Sequence, residues 1–455
     1  MDELERIQIE RDVDRLIDAL DAERFRHVAG MESAPALVPL FQVSASAAHR
    51  ETVTRLREAG DAPLADRVAA LRAERAAAEA EEAWRAAEAG AVGDGPDGPV
   101  GLQEAERALA QEREGERRAA FARAAAQGCE AAAPSREAAV EARARARAEV
   151  GLTPDWEAVV EADRVLAASD DAWMDVLAWT ARRELGLQPA PSGKLARADL
   201  LRLLALRRWS DLFRVGMVPI VLRWLSEQLR LDLGPVRVDA EARPAKWPGV
   251  HVFGARISFR PVSGAPDWQD LFAGTGRALA ASRQPPRRRD APFGHALGWL
   301  LSSLLREPRF LAERCDADRR ELPDLRRGLA LRALFALRAR AAASRIAAEV
   351  ERGTSGHAWR EGYREAMTAA LGATWDGVRA ARDADGPAHA AALAGAGPGE
   401  ALRSALVERF DEDWWRNPRT AEHLAGLIAA GSSPVDEAAT PALAARALAA
   451  AVGDA

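Results

Sequence analysis

"DWQDLFAGTGRALAAS", residues 267–282, places Trp268, Leu271, Phe272, Gly276 and Leu279 at the spacing of one helix face. The stretch predicts a core-facing helix. Gly274 and Gly276 each weaken a helix by about 1 kcal/mol relative to alanine. Arg277 is the one basic side chain between Asp270 and Arg283. A core helix that carries two glycines beside a lone arginine needs a reason outside helix propensity, and the search for that reason organises the rest of the chain.

The chain has 455 residues, enough for two or three domains or one large helical body. Lys and Arg number 63 and Asp and Glu 69, so the net charge of −6 gives no field that would recruit nucleic acid or an anionic membrane. "PPRRR" (285–289) is an isolated basic run without interleaved aromatics and reads as a solvated loop. Two cysteines, Cys129 and Cys315, make neither a disulfide framework nor a cysteine zinc site. The N-terminus is charged from Asp2 onward and has no apolar run, and the stretch 291–305 is too short to span a bilayer, so a cytoplasmic protein is expected.

Helical periodicity covers 2–29, 43–60, 136–149, 170–187, 196–213 and 218–233. It returns over 291–305, 322–352, 357–371 and 399–410. Residues 63–127 are Ala/Glu/Arg-rich around "GAVGDGPDGPVG" (90–101) and predict two helices joined by a mobile loop, a protruding arm. Only 236–261 changes to period two. In "ARISFRP", Ile257 and Phe259 point one way while Arg256, Ser258 and Arg260 point the other. Near the C-terminus, Asn417–Pro418 is an N-cap followed by proline, and Trp414 and Trp415 read as a buried anchor. The expected organisation is a helical lobe over 1–235 and a second lobe over 236–455, with the sheet at 236–261 and the glycine helix at 267–282.

Many helices, then a small sheet, then an apolar helix introduced by "DW" resemble the oligopeptidase branch of the zinc metallopeptidases, the thimet oligopeptidase and oligoendopeptidase F-like family. The family segment of the type F-H-E-x-G-H-A-x-H is similar to Phe272 through Ala280 here, with Phe272, Gly276 and Ala278 matching. "GHALGWLLSSLLREPRFL" (294–311) resembles the helix that supplies the third zinc ligand, whose glutamate position falls at His295. "ERFDEDWWRNPRTAEHL" (408–424) is similar to a closing motif of oligoendopeptidase-like bacterial proteins. The resemblance implies a mainly α, multi-helical zincin-like fold with a small sheet beside the former zinc helix and a central cleft.

In an H-E-x-x-H helix two histidines at i and i+4 hold zinc and the glutamate takes a proton from the zinc-bound water. The resemblance puts Ala273 and Arg277 at the two ligand positions and Gly274 at the general base. Alanine has no donor atom, and a guanidinium stays protonated and repels a dication. His295 reads as a packed cleft histidine. Arg277 reads either as a snorkelling surface arginine or as a cation standing in the former metal space. The family's C-terminal His and Tyr have their counterpart in 385–404, which holds His389 and no tyrosine.

The resemblance therefore implies a catalytically inactive homologue, with no metal and no other cofactor. Its cleft or its 63–127 arm is expected to bind a peptide segment or a partner protein. Ala255, Arg256, Ile257, Ser258, Phe259 and Arg260 are the candidate edge strand for such a peptide, because strand addition needs backbone groups and no zinc. Two alternatives stay open: a helical scaffold with a purely vestigial cleft, and an active zinc oligopeptidase with other ligands, although the chain has no H-E-x-x-H. If the descent is real, Ala273, Arg277 and His295 converge on one cleft, and Gly274 leaves a gap where a carboxylate stood.

Overall fold

The computed structural model describes residues 1–152, 156–187, 194–262, 264–383, 386–431 and 439–453. The first residue of the 385–404 stretch lies outside that set. Nineteen α-helices and three small sheets make up the regular structure among the described residues. No helix among them is long and apolar enough to cross a membrane.

The periodic segments become helices where caps and apolar faces agree. The first helix, Glu3–Val28, starts on Asp2, whose carboxylate accepts from the Glu5 N–H at 2.8 Å. It buries Ile9, Val13, Leu16 and Leu20. The glycine helix is Ala265–Ser282, and the next long helix is Ala291–Ser303. Asn417 caps Pro418–Ala430, accepting from the Arg419 N–H at 3.0 Å. Trp414 and Trp415 are fully buried, in the same core as Trp268 and Phe272. Phe310 joins them, its ring centroid 5.6 Å from Trp415 and 6.0 Å from Phe272. Aromatic edges thus lock the C-terminal helices to the glycine helix.

Four expectations are corrected. First, the strand over 256–260 is not an edge. Strand Arg256–Arg260 lies in the middle of a three-stranded sheet, antiparallel to Gly249–Phe253 and parallel to Arg237–Asp239. Its alternation is as expected: Ile257 and Phe259 bury against Leu271 and Ala278 of the glycine helix. A partner on each side takes up the backbone groups that an added strand would need at Arg256, Ile257 and Ser258.

Second, 90–101 is a β-hairpin, Val92–Gly95 paired with Gly98–Gly101, followed by a separate helix Leu102–Gln111. Helix Gly115–Glu149 then runs on through Pro134. This region is tied into the body rather than standing clear of it. Arg197 donates to Glu106 at 2.7 Å, Arg379 donates to the same carboxylate, and Gln111 donates to the Val262 carbonyl at 2.7 Å. Sparse large apolar residues suggested an arm, but alanine faces permit close helix contact and buried ion pairs complete it.

Third, "PPRRR" is a clamp. Arg287 donates to Asp14 and, at 2.9 Å, to Glu10, while Arg289 reaches Asp18 at 2.9 Å and Asp21 at 2.8 Å. Those four acids form one acidic row on the first helix. Fourth, the helix expected over 196–213 stops at Leu204. Leu206 takes the left-handed conformation, φ 49°, and a 3₁₀ turn over Arg207–Leu212 follows.

Candidate functional site

The glycine helix and helix Ala291–Ser303 run side by side at a separation that only small residues allow. A Cβ on Gly276 would stand 2.5 Å from the Gly298 nitrogen, and a Cβ on Gly298 would stand 2.5 Å from the Ala273 carbonyl oxygen. This answers half of the question posed by the helix: Gly276 is there for close backbone approach. Gly274 has a different neighbour. A Cβ there would meet Val250 at 2.9 Å and Val252 at 3.1 Å, both on the strand Gly249–Phe253. The expected gap at Gly274 is therefore absent, because the sheet's valines occupy that space.

The same pairing aligns Arg277 with Gly294, whose added Cβ would lie 3.7 Å from the Arg277 Cα. One residue on, His295 turns into the same space. Arg277 and His295 line a cavity of about 280 Å³. Arg24, Arg67, Glu74 and Arg289 line it as well. Two of the three positions expected to converge thus share a cavity. Ala273 is not among its walls and is half-buried one turn back, beside Gly298.

The electrostatics of this cavity are set by arginine. Burial, then the Arg277 and Arg340 guanidiniums and His389, hold His295 well below the usual imidazole range, so it is neutral at pH 7. His251, on the strand behind, is pushed down to about 4 by burial and by Arg85, Arg382 and Arg277, while its Nε2 bonds the Pro248 carbonyl at 3.1 Å. Behind the cavity wall, Arg24 donates to both Glu81 oxygens at 3.2 Å, and Arg143 donates to one of them at 3.2 Å. Burial alone would raise the Glu81 carboxyl, but Arg24, Arg143 and Arg85 outweigh it and hold the group well below the usual range.

His389 bonds the Asp383 carbonyl at 2.7 Å. The lone tyrosine, Tyr363, is buried. Its hydroxyl donates to Asp383 and accepts from Trp375 Nε1 at 3.0 Å, so it is committed to the core and is not a wall of the cavity. Among the described residues, no three His, Cys, Asp or Glu side chains gather as metal ligands would. A zinc ion does not suit the set at 273, 277 and 295: one position has no donor atom, one is a permanent cation, and one imidazole cannot hold the metal alone. Sequence reading found Arg277 and His295. It missed the cationic ring of Arg24, Arg67 and Arg289, which comes from segments far apart in the chain and has no local signal.

No protein-family model matches the chain, and no curated protein matches it in sequence. Solved structures do match in shape. The chain is similar to PZ peptidase A with inhibitor 2, at TM-score 0.57 and 11% identity, over 95% of this chain and 86% of that one. It is similar to a protein assigned as oligoendopeptidase F from Bacillus anthracis str. Ames, at TM-score 0.55 and 11% identity, over 97% of this chain and 86% of that one. A second structure assigned as oligoendopeptidase F gives TM-score 0.52 and 13% identity, over 97% and 84%. The fold is the mainly α-helical oligopeptidase fold with its small sheets.

Proposed function

We propose that this chain is a catalytically inactive peptidase homologue that binds an extended peptide segment in the cavity between the first helix and the glycine helix. One observation carries the reading: Arg277 and His295, at positions that resemble ligand positions of a zinc peptidase, line a single cavity of about 280 Å³. The fold likeness to proteins named as peptidases supports a site for peptide. The residue types at 273, 274, 277 and 295 support the loss of turnover. Backbone recognition needs no metal and can persist without it. The peptide lies along the cavity in this reading, since strand Arg256–Arg260 is paired on both sides.

The test combines metal analysis, turnover and binding. Dialysed protein is expected to carry no stoichiometric zinc and to leave a quenched fluorescent peptide library uncleaved, with and without added zinc. The same library, labelled for anisotropy, is expected to contain binders that Ala70→Trp, a cavity-wall substitution, releases. About one zinc per chain, with cleavage abolished by a chelator, would overturn the inactive reading. Binding that survives Ala70→Trp would move the peptide site elsewhere, and no binding by any peptide would favour the helical scaffold.

A further inference from the structure

A second cavity, of about 300 Å³, shares no wall with the first. Six arginines line it: Arg113, Arg183, Arg202, Arg207, Arg208 and Arg327. They come from five separate segments: the connection before helix Gly115–Glu149, helices Asp170–Leu185, Arg197–Leu204 and Leu322–Glu351, and the 3₁₀ turn Arg207–Leu212. Only two carboxylates, Glu184 and Asp324, share the lining. We infer that this cavity binds a small organic phosphate, with the phosphoryl group held by the arginines.

The acceptors present do not match the donors. Asp324 takes two hydrogen bonds from Arg183 and lies 3.7 Å from both Arg208 and Arg327. Glu184 lies 3.4 Å from Arg183, and Glu321, just beyond the lining, accepts from Arg208 at 2.7 Å, so three carboxylates face six guanidiniums. Arg202 reaches only backbone carbonyls, Ala110 at 3.1 Å and Gln111 at 3.3 Å. The Arg113 and Arg207 side chains have no ion pair or hydrogen bond among the described residues. Arg327 Nε is buried with no hydrogen-bond partner among them. Burial, then the cations of Arg207, Arg118 and Arg113, push Arg202 down, as expected where like charges crowd.

The crowding is built in by the backbone. Leu206 holds the left-handed conformation, φ 49°, which is uncommon for a bulky residue. That turn ends helix Arg197–Leu204 and swings Arg207 and Arg208 back to the wall that Arg202 forms. Gly328 receives the Leu206 side chain, since a Cβ there would stand 2.6 Å from Leu206 Cδ2. A phosphoryl dianion offers several acceptor oxygens to guanidinium forks, whereas a carboxylate brings one charge and two oxygens. Leu203, Leu206 and Leu331, with Trp179 and Trp209, supply apolar wall for the organic body, and the volume suits a small molecule.

Calorimetry on the full chain tests this with phenyl phosphate, inorganic phosphate and benzoate as probes. Phenyl phosphate is expected to bind one per chain, at least tenfold tighter than benzoate and tighter than inorganic phosphate, and to weaken as salt is raised. Arg113→Met combined with Arg207→Met is expected to weaken it at least tenfold. Both side chains are exposed, so the fold is retained, and Arg15→Met, an exposed change on the first helix, is expected to leave binding intact. No saturable heat with phenyl phosphate, benzoate binding as tightly, or affinity unchanged in the double variant would each overturn the phosphoryl site. Equal affinity for inorganic phosphate would overturn its organic part.

Discussion

In the cavity beside the glycine helix, Arg24 and Arg289 each meet two acids, and Arg67 donates to the Arg287 and Arg289 carbonyls at 3.2 Å. Arg24 meets Glu74 at 2.8 Å and Glu81 at 3.2 Å, and Arg289 meets Asp21 at 2.8 Å and Asp18 at 2.9 Å. In the cavity beside Trp179, Asp324 and Glu321 serve Arg183, Arg208 and Arg327, while Arg113 and Arg207 have no carboxylate partner among the described residues. Residue type is the same in both places. The supply of acceptors separates them: a guanidinium whose acceptors are in the fold holds elements together, and one without them keeps its donors for a ligand. Arg24 and Arg289 therefore help hold the first cavity's walls together, whereas Arg113 and Arg207 form no ion pair among the described residues that holds the second.

The largest expected effect breaks the paired side. Glu81→Gln removes the charge on which Arg24, Arg85 and Arg143 converge and leaves buried cations behind it. Such a loss costs about 3–5 kcal/mol. Urea unfolding at pH 7 measures it, and a loss below about 1 kcal/mol, the range of exposed pairs, would mean that this seam is solvated after all.

Next comes pH. His251 is at about 4 in the fold, against about 6.5 when unfolded. The unfolded chain therefore binds more protons between these values, and stability falls as pH drops from about 6.5 towards 4, by up to about 3 kcal/mol. His295, also lowered, acts in the same direction. Denaturation midpoints from pH 7 to pH 4 would show the slope, and His251→Gln should flatten part of it. A flat profile in the parent chain contradicts burial of a neutral imidazole beside the arginines.

Smaller effects sharpen the contrast between the two glycines. Gly276→Ala forces a methyl into the backbone of the neighbouring helix and is expected to cost about 1–3 kcal/mol, net of a propensity gain of about 1 kcal/mol. Gly274→Ala meets two valine side chains rather than backbone, so a smaller loss than at Gly276 is expected. Thermal unfolding of both variants decides it, and equal losses would dismiss the close-approach argument. The smallest effect lies in the crowded cavity. Arg207→Met should change stability by less than about 0.5 kcal/mol, because nothing among the described residues pairs with that side chain.

Where local pattern sufficed, sequence reading and structure agree. The 267–282 periodicity became Ala265–Ser282, and Asn417 with Pro418 marked a helix start because a cap is a contact between near neighbours. Trp414 and Trp415 were recognisable as buried because few positions of a helical chain tolerate two exposed indoles together. The Arg277–His295 pair was found through resemblance. The clamp of Arg287 and Arg289 on the first helix was missed, as was the pairing of 92–95 with 98–101. Composition read the first as a loop and the second as a breaker. Composition does not say which distant carboxylates will face an arginine, nor whether a glycine-rich turn closes on itself.

The sequence by itself determined the helical class, the position of the one period-two segment and the inward side of Ile257 and Phe259, since all of these follow from the periodicity of a single segment. Only the tertiary structure decided that Arg256–Arg260 is a central strand, that Gly274 is filled by Val250 and Val252, and that six arginines from five segments share one cavity. Strand order, interhelical distance and charge supply are properties of pairs of segments far apart in the chain. Their energies depend on separation and burial in three dimensions, to which no periodicity along one segment refers.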